Sequence, residues 1–237
     1  TDGFQGDFSD LTVTALRSQR SGGRISEAVE LVDDNGTVNV ESGTYAENID
    51  LPKPVTLLGP QSSTGFDPSN PPPPSEQAIL QPPTGTPSPA IVRIAASNVE
   101  LNGFTLDGGP AGDLSWGINN FDGPANTYRT ITDFLVTNNI IKDIRQGFFG
   151  SYGIFICNGQ TNCGNTENGL TINGEVSNNR FEGIDGSDRA FNPDTENFDG
   201  SSPGRAISTE SDGIIEMIKD NVILTGTGDE QSQYGIQ

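Results

Sequence analysis

The densest set of potential ligands in this chain lies in GIDGSDRAFNPDTENFDGSSPGR, Gly183 to Arg205. Asp185, Asp188, Asp194, Glu196 and Asp199 place carboxylates along a turn-rich stretch, with Arg189 and Arg205 among them. Calcium takes several oxygen ligands, and closely spaced carboxylates on such a loop supply them. These five residues are the expected metal ligands and calcium the expected cofactor, although the spacing is not that of an EF-hand. The competing expectation is an acidic loop that is only solvated. Glycoside hydrolysis needs two carboxylates across a sugar, and 32 acidic residues single out no pair. A second set is aromatic. Trp116, Phe121, Tyr128, Phe148, Phe149 and Tyr152 fall in or near loops, where rings either stack on sugars or cover an apolar core.

Charge narrows the partners. The formal net charge is −20, and the lysines are Lys53, Lys142 and Lys219. Phosphate backbones need a basic surface, so nucleic acid is not an expected partner. Anionic membrane surfaces are disfavoured for the same reason. No apolar run is long enough to cross a bilayer, so no membrane insertion is expected. Abundant Asp with little Lys resembles the proteins of halophiles; an acidic extracellular calcium binder fits equally. Cys157 and Cys163 close the loop CNGQTNC. They are read as a disulfide in an oxidising compartment, with two buried thiols as the alternative. The chain contains no histidine, and two thiolates do not complete a zinc shell. Asn35-Gly36-Thr37 is a glycosylation sequon. A start at Thr1 suits a processed mature protein or an excised piece.

These residues must be held by short elements. Ile25, Ala28, Val29 and Val32 fall on one face of a helix over RISEAVELV, which Asp33-Asp34-Asn35-Gly36 ends. Before it, residues 1–23 form an N-terminal segment in which LTVTAL reads as a strand. After it the helical period is gone. TVNVESGTY alternates, and VTLLG, AIL and AIVRIAA are short apolar runs. Proline-rich stretches at 67–77 and 81–89 cannot join a ladder and are expected as surface loops inserted into the β pattern.

The later chain repeats. VELNGFTLDGG, FLVTNNIIKDI, GEVSNNRFEGI and EMIKDNVILTG each hold a strand, a Gly or Asn, and a second strand, about 40 residues apart. The turn is assigned to Gly103, Asn139, Asn179 and Asn221. A further element recurs as WGINN, YGIFI, GRAIS and YGIQ. Such repeats bury their apolar residues by stacking as a solenoid. Gly and Asn tolerate the left-handed corners, and aligned corners predict a hydrogen-bonded asparagine ladder. An immunoglobulin-like sandwich explains the recurring turn poorly.

The amphipathic helix followed by GTVNVESGTYAENIDLPKPVTLLGP resembles the opening of right-handed parallel β-helix proteins of the pectin-lyase type. The V-x-L-x-G-F-x-L and V-x-N-N-x-I runs resemble their coil repeats. The resemblance covers residues 24–237, the expected β-helix domain. It implies an all-β, right-handed parallel β-helix solenoid with a short N-terminal helix capping the core. Motifs of the superfamily's methylesterases are missing; TDFLVTNN, with Asp133, is a loose echo of one. Those of the polygalacturonases are missing too. The looser requirement of pectate lyases survives, calcium-binding aspartates beside an arginine or lysine base. Eliminating a leaving group from a uronate needs a cation on the carboxylate and a base for the α-proton. Asp185 and Asp188 would hold the calcium, and Arg145 or Arg189 would be the base. Pairing of those arginines with Asp143 and Asp188 is the structural alternative.

Two functions therefore compete. One is a secreted or cell-surface, non-catalytic module for structure, adhesion or assembly, which binds polysaccharide or copies of itself and stacks end to end into filaments. The other is a calcium-dependent polysaccharide lyase. The first is preferred, because no complete catalytic motif is found.

Overall fold

A computed structural model describes residues 6–15, 24–63, 65–84, 88–109, 114–120, 130–145, 151–157, 172–184, 191–192, 197–198, 204–210, 217–224 and 234–236. Three parallel sheets form the sides of a prism. The first runs through Asp10–Val13, Gly36–Val40, Val55–Leu58, Val99–Asn102, Ile131–Thr137, Ile172–Ser177 and Met217–Lys219. The second runs through Gly43–Ala46, Ala78–Gln81, Thr105–Asp107, Ile140–Lys142, Arg180–Glu182 and Val222–Leu224. The third runs through Ile49–Leu51, Ser88–Ile94, Leu114–Asn119, Ser151–Cys157, Gly204–Glu210 and Tyr234–Ile236. The chain visits the sheets in this order, coil after coil, and each strand pairs with its equivalent in the next coil. That is a parallel β-helix, and it excludes the sandwich. Phe191–Asn192 and Asn197–Phe198 form a separate antiparallel pair.

One column of side chains fills the prism. Val38, Leu57, Leu101, Val136 and Val176 stack from the first sheet, and all are fully buried. Leu80, Leu106, Ile141 and Phe181 stack from the second. Identical environments one sheet spacing apart, about 4.8 Å, let strands of three residues suffice. In the last coil, Ile218 and Ile223 pack on this column but are only partly buried.

The corner between the first and second sheets carries the expected asparagine ladder. Asn139 Nδ2 donates to Leu101 O at 3.0 Å and to Asn179 Oδ1 at 3.1 Å. Asn179 Nδ2 donates to Val136 O at 2.9 Å and to Asn221 Oδ1 at 3.0 Å. Asn221 Nδ2 donates to Val176 O at 2.9 Å. The backbone N–H groups of Asn139 and Asn179 donate to the same two amide oxygens, at 3.0 and 2.9 Å. The register differs by one residue from the expectation in the first repeat. Leu101 pairs with Val136 and Thr105 with Ile140, so Gly103 is equivalent to Asn138, and Phe104 takes the ladder position. The Phe104 N–H donates to Asn139 Oδ1 at 2.9 Å, so the ladder ends on backbone. The left-handed residue is the one before the ladder amide: Gly103, Asn138, Asn178 and Asp220, at φ 88, 55, 53 and 55°. Gly103 has no alternative, because a Cβ there would lie 2.1 Å from Ser62 N.

The helix Arg24–Leu31 closes the N-terminal end of the column, with Ile25, Val29 and Val32 buried as the spacing predicts. Both of its ends are held by charges of the first coil. The Glu47 carboxylate, itself buried, accepts from Ile25 N and Ser26 N, each at 3.0 Å. Lys53 Nζ donates to Glu30 O at 3.1 Å and to Val32 O. An anion at the N-terminus and a cation at the C-terminus oppose the helix dipole. Asp10–Val13, which overlaps the predicted strand LTVTAL and begins one residue before it, adds the terminal strand of the first sheet.

The first proline-rich stretch is an excursion of the second coil, and it lies back over the solenoid as a strap. Asn178 Nδ2 donates to Phe66 O at 3.1 Å, and Arg180 Nη1 to Pro68 O at 2.9 Å. The second proline-rich stretch is shorter than expected, since Gln81 ends one strand and Ser88 begins another.

Two predictions follow from this frame. Asn179→Ala takes a side-chain partner from Val136 O, Asn139 N and Ser177 O in two adjacent coils and costs about 2–4 kcal/mol, read as a lower urea midpoint at unchanged m-value. Buried Tyr45, whose hydroxyl donates to Glu41 O at 2.9 Å, has its phenol pushed up to about 12 by burial, reinforced by Glu41 and Glu47. Its folded value exceeds the unfolded one, so its contribution is complete below pH ~10. That contribution falls away towards pH 12. Tyr45→Phe should be slightly less stable at neutral pH and should flatten the alkaline loss seen by circular dichroism.

Candidate functional site

The third sheet carries residues that its role as a wall of the column does not require. Its repeated element is the triplet Trp116-Gly117-Ile118, Tyr152-Gly153-Ile154, Arg205-Ala206-Ile207. The small middle residue faces the column where the strand bends. A Cβ on Gly153 would meet Ala206 O at 2.5 Å and the Phe181 ring at 2.7 Å. The bend turns the first residue of each triplet outward. Trp116 pairs with Tyr152 and Tyr152 with Arg205, so these three form a row along the outside. A second outer row runs Asp50, Arg93, Asn119, Phe155, Ser208.

The two rows meet in an apolar cluster separate from the column, made of Tyr152, Phe155 and Cys157 with Trp116 packed against it. The Trp116 and Phe155 rings stack, with centroids 5.7 Å apart and planes 23° from parallel. Tyr152 and Phe155 are tilted at 59° with centroids 5.0 Å apart. The Arg205 guanidinium sits 5.5 Å from the centre of the Tyr152 ring, within cation–π range. Tyr152 and Phe155 are buried, whereas Trp116 is half-buried. Asn120 clamps the strand ends: its Nδ2 donates to Cys157 O at 2.7 Å, and its Oδ1 accepts from Cys157 N at 3.0 Å. Arg93 forms a bidentate pair with Asp50, both contacts at 2.7 Å.

Asn119 is 0 % exposed, yet neither its Oδ1 nor its Nδ2 has a hydrogen-bond partner. Ser208, two positions along the same row, is also buried with an unpartnered Oγ. An unpaired buried amide costs about 1–3 kcal/mol per group, so these atoms burden the fold. Unpaired polar groups beside rings and a guanidinium are what a ligand with hydroxyl or carboxyl groups completes.

Asp185, Asp188, Asp194, Glu196, Asp199 and Arg189 fall outside the described residues, as do Phe121, Tyr128, Phe148 and Phe149. Among the described residues no group of three or more metal-ligating side chains occurs. Arg145 stands at the corner after the second sheet, half exposed, with Nη2 3.0 Å from Asp143 Oδ1. It belongs to an ionic network in which Lys142 lies 3.2 Å from Asp107 and 3.6 Å from Asp143. Burial would lower the Lys142 pKa, but Asp107, Asp143 and Glu182 raise it above the usual value. Arg145 thus follows the structural alternative, ion pairing. Asp133 is exposed at a bulge of the first sheet, with φ 58° and its N–H on Asn173 Oδ1 at 2.7 Å, on a different side from the aromatic rows. Cys157 is disulfide-bonded; Cys163 lies outside the described residues. Asn35 of the sequon is exposed in a left-handed corner at φ 62°.

Of the six aromatics expected near loops, the structure brings Trp116 and Tyr152 together. Sequence reasoning missed Asn119, Phe155, Arg205 and Ser208 as their companions. The available signal was the outward first position of the triplets with Gly or Ala before Ile, which places Trp116, Tyr152 and Arg205 in register.

No family model matches the chain, and neither a curated protein nor a solved structure matches it significantly. Architecture therefore places it. Three parallel sheets visited in a fixed order, one column of buried side chains and one short N-terminal helix match the topology of the right-handed, pectin-lyase-like parallel β-helix.

Proposed function

We propose that this chain is a secreted or cell-surface β-helix that binds polysaccharide without transforming it, on the outer face of the third sheet. The observation that carries this reading is the outer cluster of Trp116, Tyr152 and Phe155, with Arg205 over the Tyr152 ring, beside an unpartnered Asn119 amide in register with Phe155. Sugars present apolar ring faces to aromatics and hydroxyls to amides, and Arg favours a carboxylated sugar. The half-buried Trp116 is the ring a ligand reaches, and Phe155 and Tyr152 brace it from behind. The disulfide at Cys157 suits an oxidising compartment. The net charge of −20 keeps copies apart and hydrated. Among the described residues no helix is long and apolar enough to cross a membrane.

Trp116 is the single tryptophan of the chain, so its fluorescence reports this site without labelling. Titration with neutral and uronate oligosaccharides should give a saturable change in emission. Trp116→Ala should weaken binding at least tenfold, about 1.4 kcal/mol, measured by calorimetry. No response to any of them sinks the proposal, and unsaturated products from a polyuronate would replace it with the lyase. Asn119→Leu, of similar volume, separates the site from the fold. It should raise stability by about 1–2 kcal/mol while weakening binding.

A further inference from the structure

An open cavity of about 410 Å³ lies between the strap and the corner from which it leaves. The polar side chains along it are Gln61, Ser63, Asp67, Asn70 and Glu76, with Phe66 on the apolar side, and no basic residue is among the described residues that line it. Oxygen is thus abundant here.

A chain of hydrogen bonds fixes which way the innermost amide points. Gln77 Nε2 donates to Pro72 O at 2.6 Å, which leaves Gln77 Oε1 as an acceptor. The Thr105 hydroxyl donates to that oxygen at 2.7 Å. Its proton is then committed, so towards Gln61 Thr105 can only accept, and Gln61 Nε2 donates to Thr105 Oγ1 at 3.3 Å. Flipping Gln61 would set two acceptors face to face. The relay therefore leaves Gln61 Oε1 as its open end. That oxygen is buried without a partner, on a residue 4 % exposed. A buried acceptor on a residue that lines the same cavity as Asp67 and Glu76 calls for a cation or a donor. Asp67 already accepts the Ser69 N–H on Oδ1 at 2.8 Å, which holds its carboxylate in place.

We propose that this cavity is a calcium site, with Gln61 Oε1, Asp67 and Glu76 as protein ligands. Calcium accepts amide and carboxylate oxygens in irregular geometry and completes its shell with water, for which the cavity has room. Its place in the second coil, at the first-to-second sheet corner, makes it independent of the aromatic rows of the third sheet. Bound calcium would hold Asp67 between Phe66 and Pro68, the two residues through which the strap meets Asn178 and Arg180.

The test uses the full chain, stripped with chelator and titrated with calcium chloride by calorimetry, with melting followed in parallel. Asp67 and Glu76 are exposed, so Asp67→Asn/Glu76→Gln should fold normally. The wild type should bind calcium and melt higher with it. The double variant should lose one calcium per chain, or bind it at least tenfold more weakly, and lose the melting shift. Asp185→Asn/Asp188→Asn should keep that shift. An absence of calcium binding in the wild type overturns the proposal. So does an isotherm that Asp67→Asn/Glu76→Gln leaves unchanged. The Trp116 fluorescence response is unaffected in either case, so this outcome does not decide the carbohydrate reading.

Discussion

Every coil must turn its first corner at the same height as its neighbours, or none of the three sheets can pair. The asparagine ladder enforces this. Each side-chain amide has two donors and an acceptor. Asn139, Asn179 and Asn221 donate to Leu101 O, Val136 O and Val176 O of the preceding coil, and Asn139 and Asn179 also donate to the amide of the next coil. The corner is too sharp for its backbone groups to pair within it, and it is buried, so water cannot replace them. The amide does both jobs at once. The left-handed residue before it and the two strands that follow then have a fixed starting point in each turn of the solenoid.

Charge reinforces the frame where the ladder is absent. The first coil meets a helix rather than another coil. There Glu47 and Lys53 grip the two helix ends, and Tyr45 reaches the Glu41 carbonyl. Further along, the outer face of the second sheet interleaves Asp107, Lys142 and Glu182 in register. Half-exposed pairs of this kind contribute little individually. Their value in so acidic a chain is to keep like charges from stacking in adjacent strands.

The column was legible because its cause is local: alternating apolar residues, left-handed Asn and Gly, and the helical spacing of Ile25, Ala28, Val29 and Val32. The register of the first repeat was not. Gly103 and Asn139 both look like turn residues, and only pairing distinguishes the left-handed position from the ladder position. Glu47 read as part of an opening motif, and its role as a helix cap depends on a contact across the chain. The outer face was half legible. Trp116 and Tyr152 stand out by type. Asn119 and Ser208 are ordinary residues whose significance lies in having no partner, a property that appears only when every neighbour is placed. The strap had the clear signature of a loop, but proline content says nothing of where a loop lies down.

The strap's resting place changes how the molecule comes apart. A solenoid is close to one-dimensional: each repeat feels its neighbours, and ends can fray one coil at a time. Bonds from Phe66 and Pro68 to Asn178 and Arg180 join residues 112 apart in sequence and bridge coils that are not neighbours in any of the three sheets. The coils between are spanned by this link, so loosening any of them strains it. A chain of nearest-neighbour couplings becomes, over that stretch, one cooperative block. During synthesis the strap must wait for the fifth coil to emerge before it can seat, so the early coils reach their final rigidity only after the later ones have formed.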